Sequence, residues 1–270
     1  MDTGSPRPSS TDKPERPSGR AQPADDTNKS IAKIIRILEC FSTTHRSLSV
    51  AEISERSGYP RSTAHRLCAS LREGGLLDQE RQRDRYRLGL KLFQFGNIAL
   101  SNMDLHREAR PFIEQLGRLT GQLVHLAVFD GHQAIVIHRS DPAAGPTPLT
   151  FIETAPIHCT SVGKAILAFQ PPDIVDKLIG NGLPRYTDTT ITDEDALKAD
   201  LAAIHARGYS LDEGEHQPGL RCIGAPIHNH DGRVFAAVSI SGPAWKVPAT
   251  ETDNLARIVK HTANQISAAL

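Results

Sequence analysis

The 270-residue sequence predicts an α+β fold in two domains, and three observations predict it. Apolar residues recur at helical spacing in three short segments between Ile31 and Glu73, and two short strand-like runs follow them. From Leu105 onward the texture changes to longer helices interleaved with strands that are punctuated by turns. The charge divides at the same place. Residues 29–91 carry 13 Lys/Arg against 7 Asp/Glu, a net of +6, whereas residues 92–270 carry 14 against 19, a net of −5. A neutral chain therefore contains a basic unit joined to a mildly acidic one, as expected of a polyanion-binding module attached to a domain of another kind.

Residues 1–27 are rich in Pro, Ser and Asp and nearly devoid of large apolar side chains, so they are expected to form a disordered tail. They contain no apolar core of a signal peptide, and no later run approaches the roughly 18 apolar residues of a membrane helix. Cys40, Cys68, Cys159 and Cys222 show no paired spacing, which implies free thiols and a cytoplasmic protein.

The basic unit is expected over residues 28–90. Ile31, Ile34, Ile35 and Leu38 fall on one face of a first helix capped by Asn28. Ser49-Val50-Ala51-Glu52 is a capping box that opens a second helix, and Gly58 closes it. A third helix is expected from Pro60, at its first helical position, to Glu73. Its Ala64, Leu67, Cys68 and Leu71 can face a core, which leaves Arg61, Ser62, His65, Arg66 and Arg72 toward solvent. Leu76-Leu77 and Tyr86–Leu88 read as strands around a polar tip that carries Arg81, Arg83 and Arg85. Three helices and a two-stranded ribbon form the pattern of a winged helix-turn-helix. The solvent-side residues, Arg66 among them, suit a major groove, those near the start of the third helix (Arg61, Ser62, Thr63 and His65) favouring base edges, and the wing arginines can track the phosphate backbone or enter the minor groove.

A linker helix is expected over residues 91–104, with Leu92, Phe93, Phe95 and Ile98 along it. The remainder, 105–270, reads as helix, a strand pair (Leu123–Phe129 and Ala134–His138), three helices, three strands and a last helix striped with Leu255, Ile258, Val259 and Ile266. Leu126, Val128, Ile135 and Leu149 are expected in its core.

The segments KSIAKIIRILECFS, LSVAEISERSGYPRSTAHRLCASLREGGLL and YRLGLKLFQFG closely resemble the DNA-binding domain of IclR-type regulators. TGQLVHLAVFDG, IHCTSVGKAILAF and RGYSLDEGEHQPGLRCIGAPIHNHDGRVFAAVSISGP resemble that family's effector domain. The resemblance runs from Asn28 to the C-terminus. It implies a repressor or activator of a catabolic operon, a homodimer or homotetramer, and a GAF-like C-terminal domain that binds a small, carboxylate-bearing metabolite. It also implies that Asp212, Cys222, Ser239 and Ser241 line the pocket. Ser161, Val162 and Gly163, at the expected start of a helix, can offer backbone N–H groups to an anion.

Other chemistries have less support. SVGKA holds the Gly-Lys of a phosphate loop without its first glycine or its Ser/Thr. His158, His228 and His230 lack the partner spacing of a zinc site. Neither metal nor cofactor is expected. The alternative function is a small-molecule binding protein, or a thiol-dependent hydrolase using Cys222, with a vestigial DNA-binding domain; no nucleophile signature surrounds that cysteine.

Overall fold

The computed structural model describes residue 1 and residues 24–42, 44–80, 84–143 and 153–270. Arg81, Arg83, Leu149 and most of the expected tail lie outside the described residues. The chain divides into two compact units, Met1–Gly96 and Asn97–Leu270.

The first unit contains α1 (Ala24–Leu38), β1 (Leu48–Ser49), α2 (Val50–Ser57), α3 (Arg61–Glu73), β2 (Leu77–Glu80) and β3 (Arg85–Leu88). α1 starts four residues before Asn28, which therefore lies inside the helix rather than capping it. Its buried face is also displaced by three residues from expectation. Ile34, Ile37 and Leu38 pack inward, joined by Phe41 just past the helix's end at the same spacing, while Ile31 and Ile35 are exposed. The capping box of α2 is formed: Ser49 Oγ accepts the Glu52 N–H at 3.3 Å, and Glu52 accepts the Ser49 N–H at 2.8 Å. Gly58 ends α2 at φ 73°, where a β-carbon would be strained. Pro60 is the residue before α3 rather than its first residue. The sheet is three-stranded, in the order β1-β3-β2, because Leu48 and Ser49 pair with Tyr86 and Arg85. Ile37, Leu48, Ile53, Ala64, Cys68, Leu71, Leu77 and Tyr86 form one core.

α4 (Leu90–Ser101) crosses the boundary between the units and is followed by α5 (Asp104–Thr120). The second unit is built on a six-stranded antiparallel sheet in the order β6-β5-β4-β9-β8-β7. Its strands are β4 (Leu123–Phe129), β5 (Ala134–Ser140), β6 (Glu153–Ala155), β7 (Ser210–Glu213), β8 (Leu220–His228) and β9 (Val234–Pro243). On one face Val124, Leu126, Ile223, Ile227, Val238 and Ile240 pack with α5 and with α9 (Thr252–Ala269). On the other, Ala127, Val136 and Ala237 meet Val162, Ala165 and Ile166 of α6 (Ser161–Leu167). α7 (Pro172–Gly180) and α8 (Glu194–Arg207) pack outside α6 through Leu178, Leu197, Leu201 and Ile204. Each such Leu or Ile contributes about 1.5–3 kcal/mol of burial. The strand alternation that fills the α5/α9 side leaves polar residues facing the α6 side, and this is where a cavity forms.

Candidate functional site

Two sets of candidate functional side chains emerge, one in each unit. In the first, α3 buries Ala64, Leu67, Cys68 and Leu71 and leaves Arg61, Ser62, His65 and Arg66 exposed, with Thr63 half-buried. Among the described residues no ion pair engages Arg61 or Arg66. The N-terminus of α3 has no side-chain cap, so its leading N–H groups stay open to a partner. Arg72, also on α3, is engaged with Gln79 of β2, and Gln79 in turn bonds Asp84 at 2.8 Å.

Arg85 is placed differently from a wing-tip cation. Its guanidinium donates to the Ser47 carbonyl at 2.6 Å and to Glu52 at 3.0–3.1 Å. The Ser49 N–H and hydroxyl, together with Arg85, hold the Glu52 carboxyl down to about 2. Arg85 thus ties β3 to the start of α2.

The second set lines a cavity of about 540 Å³ on the α6 face of the sheet, within the usual range of roughly 300–1,000 Å³ for small-molecule sites. Strand register arranges its floor in two rows. Arg139 of β5 pairs with His125 of β4 and His125 with Ser239 of β9; beyond the cavity lining this row continues as Gly224 of β8 and Ser210 of β7 under the start of α6. In the next row Leu123, Ser241, Cys222 and Asp212 follow one another across the same four strands from β4 to β7. Asp212, Cys222, Ser239 and Ser241 are thereby brought together, and Ser161 and Val162 line the same cavity. Gly163 does not line it. The Gly163 N–H is taken by Thr160 Oγ1 at 3.1 Å, and its α-carbon lies so close to Ile157 that a β-carbon would sit 2.6 Å from that backbone. Gly224 is a second close approach: a β-carbon there would lie 2.7 Å from the Ser161 carbonyl, to which Ser210 donates at 2.6 Å. The bare backbone of Gly224 lets the start of α6 settle on the sheet.

The electrostatics favour binding over nucleophilic chemistry. Burial, with the Asp212 carboxylate adding to it, pushes the Cys222 thiol up to about 12, and its sulfur lies 2.9 Å from Ser241 Oγ. Burial also raises Asp212, whose Oδ1 accepts the Glu215 N–H at 2.8 Å. The lysine of SVGKA points away from any phosphate role: Lys164 is buried between Asp200 at 2.8 Å and Glu215 at 2.5 Å. His158 bonds the Pro184 carbonyl at 3.0 Å, and among the described residues no group of His, Cys, Asp and Glu could hold a metal ion.

His125, Arg139, Lys246 and His216 also line the cavity, although nothing in the sequence singles them out. Period-two alternation was the available signal: His125 shares its strand face with Leu123 and Ala127, opposite the core residues Val124 and Leu126.

Comparison with known proteins identifies the family to which both units are similar. The family description "IclR helix-turn-helix domain" matches residues 30–81, and "Bacterial transcriptional regulator IclR C-terminal" matches residues 97–268. The chain is 32% identical over 257 residues to the HTH-type transcriptional repressor AllR of Klebsiella pneumoniae, covering 94% of each protein. It is 30% identical over 266 residues to the transcriptional repressor IclR of Escherichia coli (strain K12), again covering 94% of each. Among solved structures, an IclR homolog from Microbacterium hydrocarbonoxydans complexed with 4-hydroxybenzoate superposes with a TM-score of 0.73 at 26% identity, covering 89% of this chain and 98% of that one.

Proposed function

The chain belongs to the IclR family of transcriptional regulators, and from that premise we propose that it controls a catabolic operon through an effector-gated contact with its operator. As a member of this family it is a DNA-binding regulator with a C-terminal effector domain, not an enzyme. The observation that carries the reading is the exposed row Arg61, Ser62, His65 and Arg66 on an uncapped helix start. Arg61, Ser62, Thr63 and His65 read base edges in the major groove, and the open N–H groups of α3 and Arg66 take phosphate. For Arg81 and Arg83, between β2 and β3 in the sequence, we propose contacts with the DNA backbone. Arg85 contributes to DNA binding by fixing the ribbon against α2.

Residues 28–90 serve as the DNA-binding domain, 91–104 as the linker and 105–270 as the effector domain. The effector is a small carboxylate-bearing metabolite held among Ser161, Val162, Asp212, Cys222, Ser239 and Ser241. Support comes from the cavity's size and its hydroxyl-rich floor, and from the 4-hydroxybenzoate carried by the M. hydrocarbonoxydans relative. Gly163 supports the site from outside, by letting α6 pack. The protein works as a homodimer or homotetramer, because a two-fold assembly matches paired half-sites. Ile31, Ile35, Leu88, Leu90, Phe93 and Phe95 are exposed apolar side chains suited to that contact. Among the described residues no helix is long and apolar enough to cross a membrane, and we place the protein in the cytoplasm.

A gel-shift titration with the DNA upstream of the chain's own coding sequence tests the DNA half of this reading. A discrete shift that an unrelated duplex does not compete away supports it; equal competition by any duplex contradicts it. Thermal-shift measurements of the full chain with a panel of small organic acids test the effector half. A saturable rise in melting temperature with at least one acid is the expected result, and no rise with any acid contradicts the effector half.

A further inference from the structure

At the β5 end of the cavity floor stands an arginine whose Nε–H has no protein partner among the described residues. Arg139 lines the cavity, its Nε is shielded from solvent, and among the described residues it makes no hydrogen bond or ion pair. An N–H shielded in this way costs free energy until something accepts its proton. Its neighbour in the row is His125, which burial and the Arg139 charge push down to about 4. His125 is therefore neutral in the cell and adds no charge, but can give or take one hydrogen bond. Ser239, paired with His125 from the other side, supplies a hydroxyl. Together these three groups match a carboxylate, which accepts the two parallel N–H bonds of an arginine fork.

The other end of the floor has the opposite character. Asp212 is buried there beside a thiol that stays protonated and is joined to Ser241. A second carboxylate would meet Asp212 at close range, whereas a hydroxyl can donate to it or bond with Ser241. The charged groups around the whole cavity are Arg139 and Lys246 against Asp141, Glu153 and Asp212, so the site as a whole does not favour a dianion.

Building on the effector reading above, we propose that the effector is a monocarboxylic hydroxy acid, with its carboxylate on Arg139 over His125, on the Ser239 side of the floor, and its hydroxyl at Ser241 and Asp212. This makes Arg139 and His125, on β5 and β4, specificity-determining residues. The site then discriminates against the corresponding amide, which lacks the charge, and against the corresponding diacid, which presents charge to Asp212.

Isothermal titration of the full chain with glycolate, 3-hydroxybutyrate and 4-hydroxybenzoate, each beside its amide, and with terephthalate as the diacid counterpart of 4-hydroxybenzoate, tests the assignment. At least one hydroxy acid is expected to bind, with its amide or diacid weaker by tenfold or more. Arg139→Gln should weaken that acid at least tenfold and erase the preference over the amide, while Arg139→Lys recovers part of both. Ser241→Ala should weaken the hydroxy acid and leave the acid-over-amide preference intact. If Arg139→Gln binds the acid as wild type does while Ser241→Ala loses it, the carboxylate position is overturned and the effector cavity stands. If no probe binds wild type, the effector reading itself fails and the assignment with it.

Discussion

Two arginines of the first unit show how burial partners decide function at the scale of a residue. Arg61 is exposed at the start of α3 with no ion pair among the described residues, whereas Arg85 spends its guanidinium on Ser47 and Glu52. Arg61→Ala should weaken binding to the operator by about 1–3 kcal/mol, leave random DNA nearly unaffected, and not change the melting temperature. Arg85→Ala should lower the melting temperature by several degrees and weaken specific and random DNA alike, because it loosens the ribbon that carries the wing. Parallel thermal melts and anisotropy titrations of the two variants check the contrast; a stability loss in Arg61→Ala, or none in Arg85→Ala, would contradict it. A third residue sets a pH dependence. His125 binds its proton at about 4 when folded, against an ordinary value near 6.5, so the unfolded chain holds more protons in between. Stability from this group is complete above about pH 6.5 and is lost as pH falls toward 4. Melts of His125→Gln should show a shallower decline than wild type across that window. An identical decline would rule out His125 as its source.

Among the elements, the start of α6 depends on Gly224. A methyl group there would meet the Ser161 carbonyl and Ser210 Oγ at 2.7 and 2.8 Å, so the helix must lift from the sheet. Overpacking of this kind costs about 1–3 kcal/mol. Gly224→Ala is expected to destabilise the chain by that amount and to weaken every cavity ligand, while Gly232→Ala, in a turn with no atoms near, acts through backbone strain alone and spares ligand affinity. Equal ligand affinity in Gly224→Ala and wild type would contradict the role given to Gly224. The same scale shows what a sequence can reveal. α2 and α3 were legible because their signals are local: a capping box, a glycine stop and one apolar stripe. α1 was legible as a helix but not in its orientation, since Ile31, Ile34, Ile35, Ile37 and Leu38 allow two stripes and only docking selects the one with Ile37 and Phe41. β1 and β6, of two and three residues, are too short for alternation to register. Asp212, Cys222, Ser239 and Ser241 were accessible through resemblance. Their neighbours His125 and Arg139 were not, because only the register of β4, β5 and β9 brings them to the same floor.

Over the whole molecule, charge and chemistry are segregated. The basic excess lies in residues 29–91, the hydroxyl-lined cavity lies in the effector domain, and α4 runs from one unit into the next. A ligand can alter DNA affinity only by binding one arrangement of the assembly better than another. The most direct test of an operator-reading regulator is fluorescence anisotropy at fixed salt, titrating the full chain onto the duplex upstream of its own coding sequence and onto a shuffled duplex, with and without the hydroxy acid that binds best. The account predicts at least a thousandfold preference for the upstream duplex, and a change in that preference of fivefold or more when the acid is present. Equal affinity for both duplexes, unmoved by the acid, would contradict it.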